Sequence, residues 1–450
     1  MATAIELLHA GLAHQERNDV DRAIAAFSEA IRLDPKYVEA YYGRGNAHEA
    51  KGLLDVAIAD YNAVLRFSPR EAVAYYNRGL VHFKKGDNAS ALADYTEALR
   101  LDPQYGKAYF NRGLAHARAG DYDRAAADYT EAIRLDPNDA DAYASRGLVH
   151  AARGEFDQAV AEYTAAIQAD PRHAKAYGNR ANAYEHLGEY AKAIDDYGEV
   201  VRINPKDARA YSNRAITYFN MGQYEQAVAD YGEVIRLQPK NARAYYSRGL
   251  AHARLHQADR ALADYDESIR LGPKNVDAYV GRGVTRSGKG DREGALDDYT
   301  LAIRLQPDCV RAYYNRGMVH GLMGHLDSAI ADYGEVIRLE PDDAKAWCHR
   351  GVARVRKGQL AEAIGDYDEA VRLNPDYAAA FYNRGLVHGV HGDPEQAIRD
   401  LTEAIRLDPK FAKAFRSRGL VYQRQGQKAK AQADFDQARQ LEAAVGRPGA

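Results

Sequence analysis

Apolar and small side chains recur along the chain in two sets, and both sets repeat every 34 residues. Positions are counted within each repeat from Ala4, Val38, Ala72 and every 34th residue onward. One set then occupies positions 3, 4, 8, 10 and 11, and the other occupies positions 20, 21, 24, 27 and 28. Spacings of three and four residues bring each set onto one face of a helix. The pattern predicts thirteen repeats of two amphipathic helices each.

Proline and glycine mark the ends of the predicted helices. Position 32 is proline in twelve repeats, at Pro35, Pro69, Pro103, Pro137, Pro171, Pro205, Pro239, Pro273, Pro307, Pro341, Pro375 and Pro409. The second helix should end there, because proline disfavours a helical residue before it and cannot continue the helical hydrogen bonds. Position 15 is glycine in eleven repeats, and glycine readily takes the left-handed conformation that ends a helix. A fixed period of this kind indicates an array of small units that contact their neighbours.

Four further positions identify the family that the repeat resembles. Position 4 is aromatic in twelve repeats, position 8 is small, position 20 is alanine in all thirteen, and position 24 is Phe or Tyr in twelve. Together with the proline, they make the chain resemble the tetratricopeptide repeat (TPR) family. The resemblance implies an all-α fold, a right-handed superhelical solenoid of antiparallel helix pairs, as one domain over residues 4–445. The implied repeats are 4–37, 38–71, 72–105, 106–139, 140–173, 174–207, 208–241, 242–275, 276–309, 310–343, 344–377, 378–411 and 412–445, and a frayed tail is expected at 446–450.

The first and last repeats carry polar residues where the other repeats are apolar or have alanine. Positions 21 and 28 become Gln432 and Arg439 in the last repeat, and position 3 becomes Glu6 in the first. Polar terminal faces are what a soluble repeat array requires. We therefore expect an array that is complete and that is monomeric when free.

An ion pair is predicted inside each repeat. Position 7 is Arg and position 23 is Asp or Glu in repeats 2 to 13, whereas repeat 1 lacks both, having Ala10 and Ala26. This joint absence favours pairing within a repeat, as between Arg78 and Asp94. A guanidinium between two helices is costly unless it is paired, so we expect a bidentate, partly buried contact. The alternative is that these arginines contact a ligand.

Histidine occupies position 11 in eight repeats, at His14, His48, His82, His116, His150, His252, His320 and His388. A metal-binding ladder is disfavoured, because successive copies should lie at least a helix-packing distance of about 8–10 Å apart. Zinc needs its ligand atoms at about 2 Å from one centre. We expect these histidines to serve in packing, and we predict no metal site.

Composition and motifs argue against several classes of function. The net charge of −3 gives no general attraction to nucleic acid or to an anionic membrane. We find no signal peptide and no apolar run that could span a membrane, and Cys309 and Cys348 lie in different repeats, so a disulfide is not expected. These observations predict a cytoplasmic protein. The chain has no phosphate-binding loop, dinucleotide fingerprint or catalytic motif, so we expect no enzyme activity and no cofactor.

The resemblance implies that positions 2, 5, 6, 9, 12 and 13 of the first helices line an inner groove. Position 6 carries an interrupted row of asparagines, whose amides can bind the backbone of an extended peptide, and this row is similar to the asparagine ladder of O-GlcNAc transferases. The alternative is that Asn simply tolerates an exposed helical position. The predicted peptide-binding residues are the asparagines Asn77, Asn111, Asn179, Asn213, Asn315 and Asn383, the aromatics Tyr42, Tyr76, Phe110, Tyr246, Tyr314 and Tyr382, and the basic residues Lys107, Lys175, Arg209 and Arg243.

The charge of this lining predicts the kind of partner. It carries thirteen basic and six acidic side chains, although the whole chain is negative. A positive groove should attract an acidic peptide or a C-terminal carboxylate. Two triads match part of the carboxylate clamp of some TPR proteins: Asn46, Asn77 and Lys107, and Asn182, Asn213 and Arg243. Both lack the clamp's first Lys and final Arg, so binding of a chaperone tail is not expected.

We therefore expect a non-catalytic scaffold that binds an extended, acidic protein segment in its concave groove. An alternative is a regulatory or substrate-recruiting subunit of an enzyme encoded elsewhere. RNA binding, as in pentatricopeptide proteins, is less favoured because those repeats have a period of about 35 residues. The uniform period of 34 residues and the negative net charge both weigh against it.

Overall fold

The computed structural model describes residues 2–445, which form twenty-six α-helices and no strand. The helices are α1 (Ala4–Glu16), α2 (Val20–Leu33), α3 (Val38–Ala50), α4 (Leu54–Phe67), α5 (Ala72–Lys85), α6 (Asn88–Leu101), α7 (Gly106–Arg118), α8 (Tyr122–Leu135), α9 (Ala140–Ala152), α10 (Phe156–Ala169), α11 (Ala174–His186), α12 (Tyr190–Ile203), α13 (Ala208–Asn220), α14 (Tyr224–Leu237), α15 (Ala242–Arg254), α16 (Ala258–Leu271), α17 (Val276–Gly288), α18 (Arg292–Leu305), α19 (Val310–Met323), α20 (Leu326–Leu339), α21 (Ala344–Lys357), α22 (Leu360–Leu373), α23 (Ala378–His391), α24 (Pro394–Leu407), α25 (Ala412–Arg424) and α26 (Lys428–Val445). The predicted tail at 446–450 lies outside the described residues.

The helices fall in pairs, as the hydrophobic pattern predicts. Each odd-numbered helix begins at the first residue of a predicted repeat, as α1 does at Ala4 and α3 at Val38. Each of the first twelve even-numbered helices ends two residues before the periodic proline, as α2 does at Leu33. The predicted fold class, an all-α solenoid of antiparallel helix pairs, is confirmed. None of the described helices is long and apolar enough to cross a lipid bilayer.

The chain forms two compact units, Met1–Gln223 with α1–α13 and Tyr224–Ala450 with α14–α26. Inside each unit, consecutive helices pack against one another. Some odd-numbered helices also contact the next odd-numbered helix, as α9 contacts α11 and α15 contacts α17. Several first helices of successive repeats therefore lie against one another within each unit. A single domain over residues 4–445 stays a prediction.

The polar residues at the two ends of the array are exposed. Gln432 and Arg439 face solvent on α26, and Glu6 faces solvent on α1. A carboxylate oxygen of Glu6 accepts a hydrogen bond from the Thr3 N–H, and the Thr3 hydroxyl accepts one from the Glu6 N–H. Glu6 therefore completes the N-terminal cap of the first helix, which a solvent-exposed helix start needs.

The core of each repeat is built around the aromatic residue at position 24. Tyr163 is buried to 1% exposure on α10 and packs against Ala159, Ala166 and Ala176. Its ring lies against Gly147 on the paired helix, where an added Cβ atom would come within 2.6 Å of the ring. Position 8 is therefore small because the aromatic ring occupies the space where a side chain would lie.

The predicted ion pair inside each repeat is confirmed. In the second described pair, Arg78 donates from Nη2 to Asp94 Oδ1 at 2.6 Å and from Nε to Asp94 Oδ2 at 2.8 Å, and these bonds raise the pKa of Arg78. The carboxylate is almost fully buried, and the guanidinium is about four-fifths buried. Ion pairs at the same two positions are formed by Arg44–Asp60, Arg112–Asp128, Arg146–Glu162, Arg180–Asp196, Arg248–Asp264, Arg282–Asp298, Arg316–Asp332, Arg350–Asp366, Arg384–Asp400 and Arg418–Asp434. In the Arg146–Glu162 pair only Arg146 Nη2 donates, so this pair is not bidentate.

These arginines also reach the preceding repeat, a contact that the sequence analysis did not predict. Arg146 Nη1 donates to Thr130 Oγ1 at 3.0 Å, and Thr130 stands at position 25 of the repeat before. Arg112 reaches Thr96 in the same way. Each of these guanidiniums lies over the aromatic ring at position 4, as Arg112 lies 5.5 Å from the ring centre of Tyr109. One side chain therefore joins three helices.

Four of the histidines at position 11 lie within 4.0 Å of the position-23 carboxylate of their own repeat, namely His48, His82, His116 and His252. His48 Nδ1 is 2.8 Å from Asp60 Oδ2, and His252 Nε2 is 3.8 Å from Asp264. In two other repeats Arg286 fills this position and donates to Asp298, and Arg354 donates to its own repeat's Asp. The expected packing role thus includes a polar contact with the ion pair. Within residues 2–445, no group of three or more His, Cys, Asp or Glu side chains is arranged to hold a metal ion.

Position 15 takes a positive φ in every repeat, including the two that lack glycine. His256 has a φ of 58°, whereas the equivalent Gly290 has a φ of 89°. A left-handed conformation costs about 1–2 kcal/mol for a residue with a Cβ atom, and glycine at this position avoids that cost. Glycine also has greater freedom in the unfolded chain, which offsets part of the stability gained. His256→Gly should therefore raise the free energy of unfolding by about 0.5–1 kcal/mol, measured by thermal denaturation. Asn18→Gly serves as the control, with a smaller gain, because Asn tolerates this conformation. A loss of stability in His256→Gly would contradict the backbone argument.

Candidate functional site

The exposed residues of the first helices form the candidate site. In the first unit, positions 2 and 9 present side chains to solvent, among them Leu148 at 51% exposure and Leu12 at 42%. Lys107, Lys175 and Arg209 are exposed as well, and so is Arg243 in the second unit. The predicted basic residues are thus accessible to a partner. We call the solvent-facing residues at positions 2, 5, 6 and 9 of the odd-numbered helices the inner face.

The predicted asparagines are held in place by their own protein. Asn77 Nδ2 donates to the Tyr42 hydroxyl at 2.5 Å, and Asn111 Nδ2 donates to the Tyr76 hydroxyl at 3.0 Å. Both bonds join position 6 of one repeat to position 5 of the repeat before. These bonds use the amide donors, so the carbonyl oxygens of the two asparagines remain as acceptors for the N–H groups of a bound backbone.

In the second unit the same position is more varied. Asn383 Nδ2 lies 3.5 Å from Cys348 Sγ of the preceding repeat, and Asn315 Nδ2 donates to the Arg311 carbonyl at 2.8 Å. At the break in the asparagine row, the His349 ring meets the Tyr314 ring edge to face at 5.5 Å. In the second unit, position 6 therefore contacts the preceding repeat at Asn383 and His349 but its own helix at Asn315.

The predicted aromatics at position 5 pack against other aromatic rings of the protein, so only part of each ring can contact a ligand. Tyr42 packs edge to face on Tyr61, and Phe110 packs on Tyr129. The same packing on the position-24 ring occurs for Tyr76, Tyr246 and Tyr314, and Tyr382 packs on Phe411. Burial raises the pKa of the Tyr42 hydroxyl, as it does for Tyr76. These side chains therefore support the core and present one face outward.

Two cavities open on the inner face of the first unit. One has a volume of about 620 Å³ and lies between α1, α3 and α5. The other has a volume of about 580 Å³ and lies between α9, α11 and α13. They occupy equivalent places four repeats apart, since Asn46, Val64 and Ser68 in the first correspond to Asn182, Val200 and Asn204 in the second. We call them the first and the second cavity.

Each cavity is lined by an asparagine that belongs to the same kind of hydrogen-bond network. At the first cavity, the buried Tyr61 donates its hydroxyl to Asn46 Oδ1 at 2.7 Å, and Glu49 lies 3.3 Å from that hydroxyl. In the second, Tyr197 donates to Asn182 Oδ1 at 2.5 Å, and Glu185 Oε2 lies 3.1 Å away. Burial, and secondly the nearby Glu, raises the pKa of each tyrosine. The tyrosine fixes the asparagine, whose amide group is left to face the cavity.

Sequence reasoning did not identify these cavities, although a signal for them was present. Asn at position 9 and Glu at position 12 occur together in only two repeats, the second and the sixth. These are the repeats on which the cavities are centred. Gly178, which lines the second cavity, leaves open space there, because a Cβ atom at that position would meet only Val200, at 3.8 Å.

The second cavity brings several of the predicted residues together. Lys175, Asn179, Arg209 and Asn213 all line it. Its one acidic residue, Asp207, accepts hydrogen bonds from the backbone of Arg209 and Ala210, so its charge caps α13. The cavity thus combines two cations with four amide side chains, a set suited to a carboxylate and a peptide backbone.

A family model described as tetratricopeptide repeat matches residues 8–72, 76–140 and 145–208. Related models match 217–255 and 353–392, 310–343 and 378–411, and 128–161 and 197–229. No curated protein matches the chain.

Solved structures with similar folds align with low scores. MamA is 28% identical over 36% of this chain and 95% of its own, with a TM-score of 0.35. YrrB, described as a TPR protein with an unusual peptide-binding site, is 24% identical over 41% of this chain and 95% of its own, with a TM-score of 0.37. Yeast Tom70 is 17% identical over 92% of this chain and 98% of its own, with a TM-score of 0.41.

Proposed function

Because this chain belongs to the tetratricopeptide repeat family, we propose that it is a non-catalytic scaffold that binds an extended, acidic protein segment on its inner face. Repeat arrays of this class are protein-interaction scaffolds, because the stacked units create extended binding surfaces. The basic side chains of the inner face are the reason for proposing that the bound segment is acidic.

The second cavity is the observation that carries the proposal. Lys175 and Arg209 are exposed at position 2 of successive first helices, and both line the cavity with Asn179, Asn182 and Asn213. A carboxylate can accept charge-assisted hydrogen bonds from the two cations. The asparagine amides can pair with the backbone on either side of it. An acidic residue of an extended segment fits this set of groups.

The row before the second cavity supports an extended ligand. Asn77 and Asn111 present carbonyl oxygens in adjacent repeats, and Lys107 is exposed on the same helix as Asn111. An extended chain that passes these repeats can donate backbone N–H groups to the asparagines regardless of its own side chains. Backbone contacts would supply general affinity, and the basic residues would select for acidic partners.

Charge reversal in the second cavity tests this proposal. The double variant Lys175→Glu and Arg209→Glu should weaken binding of a labelled acidic peptide by at least about tenfold, or about 1.4 kcal/mol, as measured by fluorescence anisotropy. The cause would be loss of two attractive charges and gain of two repulsive ones.

The matched control makes the same charge change on the other helix layer. Lys192→Glu with Arg202→Glu alters two exposed residues of α12 that do not line the cavity. Binding should then change by less than about twofold, because exposed charges more than a Debye length of about 10 Å away are largely screened. Acidic peptides that bind the unaltered chain no more tightly than uncharged peptides of the same length would contradict the proposal.

A further inference from the structure

The first cavity has the shape of the second but the opposite charge. At the equivalent of Lys175 it has Glu39, and at the equivalent of Arg209 it has the apolar Val73. We propose that the first cavity is a separate docking site for a basic residue, Lys or Arg, flanked by apolar residues in a partner protein segment. This inference rests on the scaffold function proposed above and adds a second partner chemistry to it.

The acidic groups of the first cavity are free to act on a ligand. Glu71 is the N-cap residue of α5, but its side chain makes no capping hydrogen bond. At the equivalent place in the second cavity, Asp207 does cap its helix. Glu39 lies in the first turn of α3 and is exposed at the cavity. Two carboxylates are therefore directed to a cavity of about 620 Å³ without a cation of their own in the described contacts.

Two other charges at the rim do not change this balance. Asp34 Oδ1 accepts a hydrogen bond from the Lys36 backbone N–H at 2.9 Å, so part of its charge is used by its own turn. Lys36 is exposed at the same rim. The lining still holds three carboxylates against one ammonium group, which favours a cation.

The walls of the cavity specify what kind of cation fits. Leu8 and Leu12 come from α1, Val73 comes from α5, and Leu12 and Val73 are exposed at 42% and 39%. Tyr42 provides an aromatic wall, and Glu71 and Glu49 contribute to the raised pKa of its hydroxyl, after burial as the main cause. A long side chain with an aliphatic stem and a charged end matches apolar walls below carboxylates. An aromatic wall adds a cation–π contact.

The chain already shows this chemistry at the edge of the cavity. Lys84 Nζ of the following repeat donates to Glu49 Oε1 at 2.6 Å, and Glu49 belongs to the Tyr61 and Asn46 network. A lysine that reaches across the first helices is therefore bound by this part of the inner face. A partner lysine or arginine would find Glu39 and Glu71 in a similar setting.

Both cavities lie in the same compact unit, the first between α1 and α5 and the second between α9 and α13. The partner segment that would use both therefore carries a basic residue at one end and an acidic residue at the other. Opposite charges at the two sites would also fix the direction in which the segment binds, because a reversed segment meets like charge at both cavities.

Three matched peptides test the proposal with the full chain. We would label a peptide with Leu-Lys-Leu-Arg at its centre, the same peptide with Glu for Lys and Arg, and the same peptide with Gln for both. The basic peptide is expected to bind at least about tenfold more tightly than the Gln peptide, measured by fluorescence anisotropy. Binding of the basic peptide no tighter than that of the Gln peptide overturns the proposal.

Charge variants locate the binding. Glu39→Lys with Glu71→Lys should weaken binding of the basic peptide by at least about tenfold. The milder Glu39→Gln with Glu71→Gln should weaken that binding by less. The control, Glu29→Lys with Asp55→Lys, changes exposed or half-exposed acids of the second helices that do not line the cavity, and it should have little effect. Circular dichroism checks that each variant is folded. An equal loss in the control overturns the proposal.

The two proposals fail in different ways. Lys175→Glu with Arg209→Glu should weaken binding of the acidic peptide and change the affinity for the basic peptide by less than about twofold. If the unaltered chain preferred the basic peptide to the Gln peptide but did not prefer the acidic one, the acidic-segment function alone would be contradicted. Loss of basic selectivity with the acidic site intact would count against the first-cavity proposal alone.

Discussion

Replacing Asp298 by Ala is expected to lower the free energy of unfolding by about 3–5 kcal/mol. Asp298 is 1% exposed and accepts hydrogen bonds from two guanidiniums, Arg282 in its own repeat's first helix and Arg286 one turn further on. The variant leaves both cations beside an uncharged methyl group in a mostly buried place. Because breaking one partner of a buried ion pair leaves a desolvated charge, the loss exceeds what the pair itself contributes.

Asp266 offers the matched control for this experiment. It accepts a hydrogen bond from the same Arg282, at 2.6 Å, but its side chain is 57% exposed. Asp266→Ala should therefore cost less than about 1 kcal/mol. Urea unfolding, with hydrogen exchange in α17 and α18 to localise the loss, measures both variants. Similar losses in the two variants would show that burial does not set the strength of this contact.

The second large effect is expected from Tyr163→Ala, which should lower the free energy of unfolding by about 3–5 kcal/mol. The Tyr163 ring fills the space between α9 and α10 and is surrounded by alanines that cannot close over a cavity of that size. Gly147→Ala should also destabilise the repeat, by about 1–3 kcal/mol, because the added methyl group would meet the same ring at 2.6 Å.

Tyr190 is the control for residue type, since it is 39% exposed at the start of α12. Tyr190→Ala should change the free energy of unfolding by less than about 0.5 kcal/mol, because surface substitutions away from buried contacts have small effects. Thermal and urea unfolding measure all three variants. If Tyr163→Ala cost no more than Tyr190→Ala, the ring at position 24 would not be the centre of the repeat's core.

The fold could be predicted because the same residue types recur at the same positions of successive repeats. Pro35 and its eleven equivalents indicated where the second helices end. The first repeat lacks both the Arg and the Asp, having Ala10 and Ala26 instead, and this joint absence indicated that the two residues form an ion pair. These signals are local and are repeated in register. The second contact of the arginines, as between Arg146 and Thr130, crosses a repeat boundary and has partners of varied type, so no single pattern marked it.

The candidate site was harder to predict, because it depends on differences between repeats. Asn77 and Asn111 owe their orientation to tyrosines of the preceding repeat, a pairing that the sequence analysis treated as two unrelated rows. The two cavities lie where Asn46 or Asn182 stands at position 9, and each is lined by three successive first helices. Such spaces depend on three neighbouring helices together, and a sequence pattern describes one helix at a time.

The arginine that joins three helices has a consequence for how the array can change in length. If residues 106–139 were excised, Arg146 would face Thr96 in place of Thr130, and it would meet a hydroxyl at the same register. A cut that was not a multiple of 34 residues would leave the guanidinium without its intended oxygen. The protein is thus modular in steps of one whole repeat, and the joint is kept wherever the repeat that comes to precede the arginine has a side-chain oxygen at position 25, which three repeats lack because they have Gly198, Gly232 and Gly334 there.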